Sequence, residues 1–174
     1  MENKNIWTEK EIEGFYNNIM RETLARFPVL AGYKDILSFV FMAFFRHGGL
    51  VRFDEYAVGA YVNPDRLKGC YVYNLFIGIK DRVDPLTIVW SILHEYGHTL
   101  QPNITDEIHI SPVLTLEREA DAWDRAENKL MDFNISPADL ESFKTFRGAR
   151  LQSYRDKILP SSNIKSITNQ EPQI

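Results

Sequence analysis

Cysteine is almost missing from this chain of 174 residues: Cys70 stands alone. An internal disulfide is therefore impossible, and the sequence fits a reducing compartment rather than a stapled secreted scaffold. Cys70 itself reads as a small side chain at a strand end. The N-terminal segment Met1-Glu-Asn-Lys-Asn-Ile-Trp-Thr8 lacks the apolar stretch of a secretory signal. Long hydrophobic runs are lacking too: the most apolar stretch, Ile36 to Phe45, is too short to span a bilayer. Basic clusters are absent and the net charge is −4, so there is no electrostatic footprint for nucleic acid. Together these absences predict a cytoplasmic protein with no membrane and no nucleic-acid partner. Histidine is scarce as well, with four in the chain, which makes the placement of any pair informative.

Two of the four fall in Thr87-Ile-Val-Trp-Ser-Ile-Leu-His-Glu-Tyr-Gly-His-Thr-Leu100. His94 and His98 are four residues apart, so on an α-helix they share a face one turn apart. Two imidazoles so placed can bind one metal ion, while Glu95 reaches water at that metal: the His-Glu-x-x-His pattern. At about 100° per residue, Leu86, Val89, Trp90, Leu93, Gly97 and Leu100 form one apolar arc, and Ile88, Ile92 and Tyr96 another. A narrow polar stripe of Thr87, Ser91, His94, Glu95, His98 and Gln101 separates them. A helix apolar around most of its circumference is buried, so that stripe must face a cleft or a metal. Asp84-Pro85 supplies the start and Pro102 marks the end. Gly97 costs roughly 1 kcal/mol relative to Ala in a helix, and its missing side chain is expected to make room for a neighbouring element.

The rest of the chain reads as one domain, 1–160, with a flexible tail over 161–174 rich in Ser, Asn, Gln and Pro. Thr8-Glu-Lys-Glu11 is a capping box opening a helix to about Phe27. Tyr33 or Asp35 to Arg46 is a second, buried helix, with His47 at its C-terminus in a structural role. Leu50 to Tyr61 alternates loosely, Asn63-Pro-Asp65 signals a turn, and Tyr71 to Ile79 is a strong strand. Two or three antiparallel strands are expected here, with Tyr71, Tyr73 and Phe76 as sheet packing. Ser111-Pro112 starts a helix to about Met131, and Ser136-Pro137 a last one to about Leu159. The predicted class is α+β: a small antiparallel sheet packed on the histidine helix, flanked by N- and C-terminal helices.

A catalytic zinc takes three protein ligands and keeps one position open. The positions just past His98 where one protease class places its glycine and third histidine are Gln101 and Ile104, which excludes that class. A distant carboxylate remains, and Glu117-Arg-Glu-Ala-Asp121-Ala-Trp123 offers several. With the apolar arc drawn through Val113, Leu116, Ala120, Trp123 and Leu130, Glu117 and Asp121 lie on its border. Glu119 falls about 200° from Glu117, among Arg118, Arg125 and Ala126. Glu117 is therefore the expected third ligand. Asp121 is the expected acceptor for the far N–H of a bound histidine, and Glu119 a solvated charge.

His94-Glu-Tyr-Gly-His98 followed by Glu117-Arg-Glu-Ala-Asp121-Ala-Trp resembles the ImmA/IrrE family of metallopeptidases, within the gluzincins. The resemblance covers about residues 70 to 130. It implies a zincin-like fold, a zinc cofactor, and the first glutamate of the second motif as ligand. It also implies a narrow protein or peptide substrate, such as a regulator. Trp123 and Asp124 stand where Phe and Ala are usual; both are expected to lie outside the metal shell. Glu95 is the expected general base of a peptide hydrolysis. For the second electrophile at the oxyanion, His109, Tyr154, Arg155 and Tyr73 are the candidates. An exposed strand edge over Tyr56 to Val62 could take an extended peptide. Two rival readings are a zinc-bound regulatory or interaction module without turnover, and a non-proteolytic zinc hydrolase or toxin-like effector. The first has no use for Glu95 as a base.

Overall fold

A computed structural model describes residues 6–67, 70–80, 84–102, 108 and 110–158. The expected tail over 161–174 and His109 lie outside them. Among the described residues the class is α+β, with five α-helices, a 3-10 turn at Pro28–Tyr33 and a three-stranded sheet. The helices are α1 (Glu9–Arg26), α2 (Lys34–Arg46), α3 (Leu86–Thr99), α4 (Pro112–Leu130) and α5 (Pro137–Ile158). The strands are β1 (Val51–Asp54), β2 (Ala60–Leu67) and β3 (Cys70–Gly78).

Local chemistry accounts for the helix ends. Thr8 accepts from the Glu11 N–H and the Glu11 carboxylate accepts from the Thr8 N–H at 2.8 Å, the reciprocal pair the sequence announces. The Asp84 carboxylate accepts from the Leu86 N–H at 2.9 Å at the entry to α3. Ser111 caps α4, with Pro112 as its first residue. Ser136 and Asp139 exchange the same kind of bonds at the start of α5.

The sheet departs from the antiparallel expectation. Its order is β1-β3-β2: β3 runs antiparallel to β2 and parallel to β1. Alternation reveals which residues face the core but says nothing about which strand lies next door. Here the connection after β1 crosses the end of β3, its Ala57 and Gly59 carbonyls accepting from Lys80 and Gly78. A Cβ on Gly78 would stand 2.2 Å from the Gly59 oxygen, so only glycine admits this crossing. Asn63-Pro64-Asp65 likewise is no turn but part of β2, with Pro64 opposite Tyr73. An edge strand tolerates proline because its outward side needs no ladder hydrogen bond.

The core runs through α2, α3 and the inner face of β3, where Leu37, Val40, Phe41, Leu75, Ile77, Ile88, Val89, Trp90, Ile92 and Leu93 are fully buried. The 3-10 turn and α2 together form one apolar stretch, Pro28–Arg46, long enough to cross a membrane by length and composition. Six of its residues, from Ile36 to Phe45, are nonetheless buried in the core of this fold, as befits a core helix. His47, at the end of α2, turns its Nδ1 to the Ala43 carbonyl at 2.7 Å. The α3 helix packs against the sheet on one side and against α4 on the other, which leaves its polar stripe at their junction.

Candidate metal centre

His94 is buried and His98 partly so, and their Nε2 atoms lie 3.1 Å apart. The carboxylate facing them comes from Glu119: Oε2 is 3.1 Å from His94 Nε2, and Oε1 is 3.4 Å from His98 Nε2. One ligand atom from each of the three lies within 4.8 Å of the others. The arrangement is set by backbone contact. A Cβ on Gly97 would stand 2.2 Å from the Ala122 carbonyl oxygen, so α4 runs against α3 at that point, and Glu119 sits one turn before Ala122.

The expected third ligand is thus corrected. Glu117 is exposed, and the carboxylate that could join the two imidazoles around a metal ion is that of Glu119. The residues of α4 that are buried are Ala122, Trp123, Ala126 and Leu130, whereas Val113 is half exposed. An apolar arc that extends to Val113 and leaves out Ala122 and Ala126 is rotated away from the true one, whereas Leu116 does pack against the core. Glu119 stands three, four and seven residues before Ala122, Trp123 and Ala126, squarely on the buried face.

Asp121 also differs from expectation. Its Oδ2 accepts from Gln101 Nε2 at 2.7 Å and from Arg125 Nε at 2.8 Å, so it meets the Gln101 amide in place of a histidine. Gln101 Oε1 in turn lies 2.8 Å from His98 Nδ1. Trp123, not one of the three converging groups, stacks on the His94 ring at 4.1 Å between centroids and 18° between planes. Asp124 pairs with Arg147 of α5, which also reaches Glu127.

The electrostatics are those of a place built for positive charge. Burial opposes ionisation of Glu119, yet hydrogen bonds from His94 and His98 hold its carboxyl down at about 2. Burial disfavours protonated His98, but contacts with Glu119 more than offset this and raise its pKa above the ordinary histidine value. His94, more deeply enclosed, is pushed below that value by burial despite the same carboxylate. Two imidazole nitrogens and a carboxylate converging on one point form a donor set that fits a divalent metal ion. The group could hold one.

Glu95 lies beside the trio. Burial pushes its carboxyl up to about 8, opposed by the charge of His98 and reinforced by Glu119, while the Val62 N–H of β2 donates to it. Of the expected electrophiles, Tyr154 bonds to Glu119, and burial first, then that carboxylate, raises its hydroxyl to about 12. Arg155 is exposed, and Tyr73 packs against the core. His109 is outside the described residues. Arg150, not among the expected residues, acts by its charge on His94, Glu95 and Tyr154. It sits one helical turn before Tyr154 on α5, a spacing that would have found it once Tyr154 was placed. Gln101 was missed as a partner of His98, although its place on the polar stripe was legible.

In comparisons with known proteins, the chain matched no family model, no curated protein and no solved structure.

Proposed function

We propose that this chain is a zinc-dependent metallopeptidase with a zincin-like arrangement, of the kind the ImmA/IrrE resemblance implies. His94, His98 and Glu119 are its ligands. The observation that carries this reading is the convergence of those three groups with Glu95 alongside. A structural zinc site needs no further carboxylate, whereas a hydrolytic one needs a base.

A bound zinc would supply the Lewis acidity that polarises a scissile carbonyl and makes water easier to deprotonate. Glu95 then takes the proton of the attacking water and returns it to the leaving amine. A nearby cation favours the ionised carboxylate, drawing its pKa back from the raised value into the range of a working base. Tyr154 and Arg150 stand on α5, the first bonded to Glu119 and the second acting on His94 and Glu95, where a hydroxyl and a guanidinium can stabilise the developing oxyanion. The β2 strand lies at the sheet edge against α3. An extended peptide adding to it, near Ala60 to Val62, would run past Glu95. The substrate class is an extended segment of a protein partner.

The test compares wild type with Glu95→Gln, measuring bound zinc and cleavage across a peptide library. Zinc retained by both proteins with cleavage confined to wild type supports the peptidase. Identical behaviour in every functional assay points instead to a zinc-bound regulatory module.

A further inference from the structure

The Gln101 side chain makes three polar contacts, and together they leave its amide one orientation. Its Nε2 donates to the Arg118 carbonyl oxygen and to Asp121 Oδ2, each at 2.7 Å. The first partner is a carbonyl oxygen, which can only accept, and the second is a carboxylate oxygen that also accepts from Arg125. Flipping the amide would set its oxygen against two oxygens. Oε1 therefore faces His98 Nδ1 at 2.8 Å, and an amide oxygen can only accept, so Nδ1 carries the hydrogen. The neutral ring then has its lone pair on Nε2, the atom turned toward His94 and Glu119, and only the protonated ring also donates from Nε2 to Glu119. The same chain is braced at both ends. Arg118 donates to the Pro102 carbonyl at 2.9 Å, and Arg125 to the Leu100 carbonyl at 3.2 Å, so the segment carrying Gln101 is tied to α4. His94 offers a contrast, since its buried Nδ1 has no hydrogen-bond partner among the described residues.

We propose that Gln101 is a positioning residue that fixes the tautomer of His98 through an Asp121–Gln101–His98 chain, readying Nε2 for a metal ion. The part concerning the ion rests on the metal-site reading; the tautomer stands on geometry alone.

The experiment reads the tautomer directly, by long-range proton–nitrogen correlation on the metal-free protein at alkaline pH, where the ring is neutral. Zinc affinity is measured in parallel by chelator competition. Wild type is expected to show His98 with hydrogen on Nδ1. Gln101→Met should move it to Nε2 and weaken zinc binding by about 10- to 100-fold, the usual effect of losing a ligand's supporting partner. Gln101→Glu keeps an acceptor oxygen for the ring and should keep the Nδ1–H form. Should the Met variant fail to fold, Asp121→Ala, which releases the amide, is read in the same way.

A wild-type His98 carrying its hydrogen on Nε2 overturns the proposal. So does a Met variant with unchanged tautomer or affinity, or a Glu variant indistinguishable from Met. A protein that binds no zinc yet shows the Gln101-dependent Nδ1–H form removes the metallopeptidase reading and sustains the tautomer assignment.

Discussion

Gly97 of α3 and Ala122 of α4 meet backbone to backbone, with the Ala122 oxygen 2.2 Å from where a Gly97 Cβ would stand. This contact sets how far Glu119 is from the two imidazoles. Gly97→Ala should therefore act on the metal centre as well as on stability. A methyl group against a carbonyl cannot be relieved by a side-chain rotation, so the helices must separate. Overpacking of this kind costs about 1–3 kcal/mol, and metal affinity should fall at least roughly tenfold with it. Thermal unfolding and a metal titration check both; an alanine variant that melts and binds like wild type would refute the spacer role.

Glu119 and Glu117 are two residues apart and should behave oppositely. Glu119→Gln is expected to lower metal affinity by about 100-fold or more, since it removes a ligand charge. Glu117→Gln changes an exposed residue and should leave affinity within about twofold. Metal content after dialysis of the two variants decides; the reverse pattern would restore Glu117 as the ligand.

Trp123 lies flat on the His94 ring, so its indole should report on what His94 binds. Adding zinc to metal-free protein is expected to change the tryptophan emission saturably, at one equivalent of metal. Trp7 and Trp90 are the other indoles in the chain. If Trp123→Phe left the whole change in place, the stacking would have no bearing on the ion.

Tyr33 donates to Asp139 Oδ1 at 2.6 Å, linking the 3-10 turn to the first turn of α5. That hydrogen bond, ahead of those from Ser136, holds the Asp139 carboxyl below its usual range. Its contribution is present above the unfolded-state value near about 3.9 and is lost as the pH falls through the lower folded value. Burial, then the Asp139 contact, raises the Tyr33 hydroxyl to about 12. The tyrosine contribution is thus full below the unfolded value near about 10 and is lost as the pH rises through the folded one. Tyr33→Phe should cost about 1 kcal/mol near neutrality, both groups being partly exposed. Denaturant unfolding of the two proteins should show that gap closing in strong acid; a constant gap from neutral to strongly acidic pH would contradict the linkage.

Much of this arrangement was legible in the sequence because it is local. The capping pairs at Thr8, Ser111 and Ser136 fix helix starts within a residue. The burial of α3 follows from its two apolar arcs, and the spacing of His94 and His98 from one helical turn. Gly97 was readable as a close approach, though the neighbour was not. What escaped depends on partners distant in the chain. Glu119 was hidden because Val113, apolar but half exposed, draws the arc away from the face that Ala122, Trp123 and Ala126 bury. The parallel pairing of β1 was hidden because a strand's pattern does not identify its neighbour. Gln101 looked like one more polar residue until Arg118 and Asp121 on α4 gave its amide a direction.

The crossing of α3 and α4 has a mechanical consequence. Glu119 lies in the second turn of α4, and the turn before it shows Val113 and Leu114 to solvent, with little packing to hold it down. An ion shared between His94, His98 and Glu119 would act as a rivet at that loosely seated end. Filling the centre would then stiffen the lip of the cleft, while α1, which packs chiefly on α2, would scarcely register whether the rivet is in.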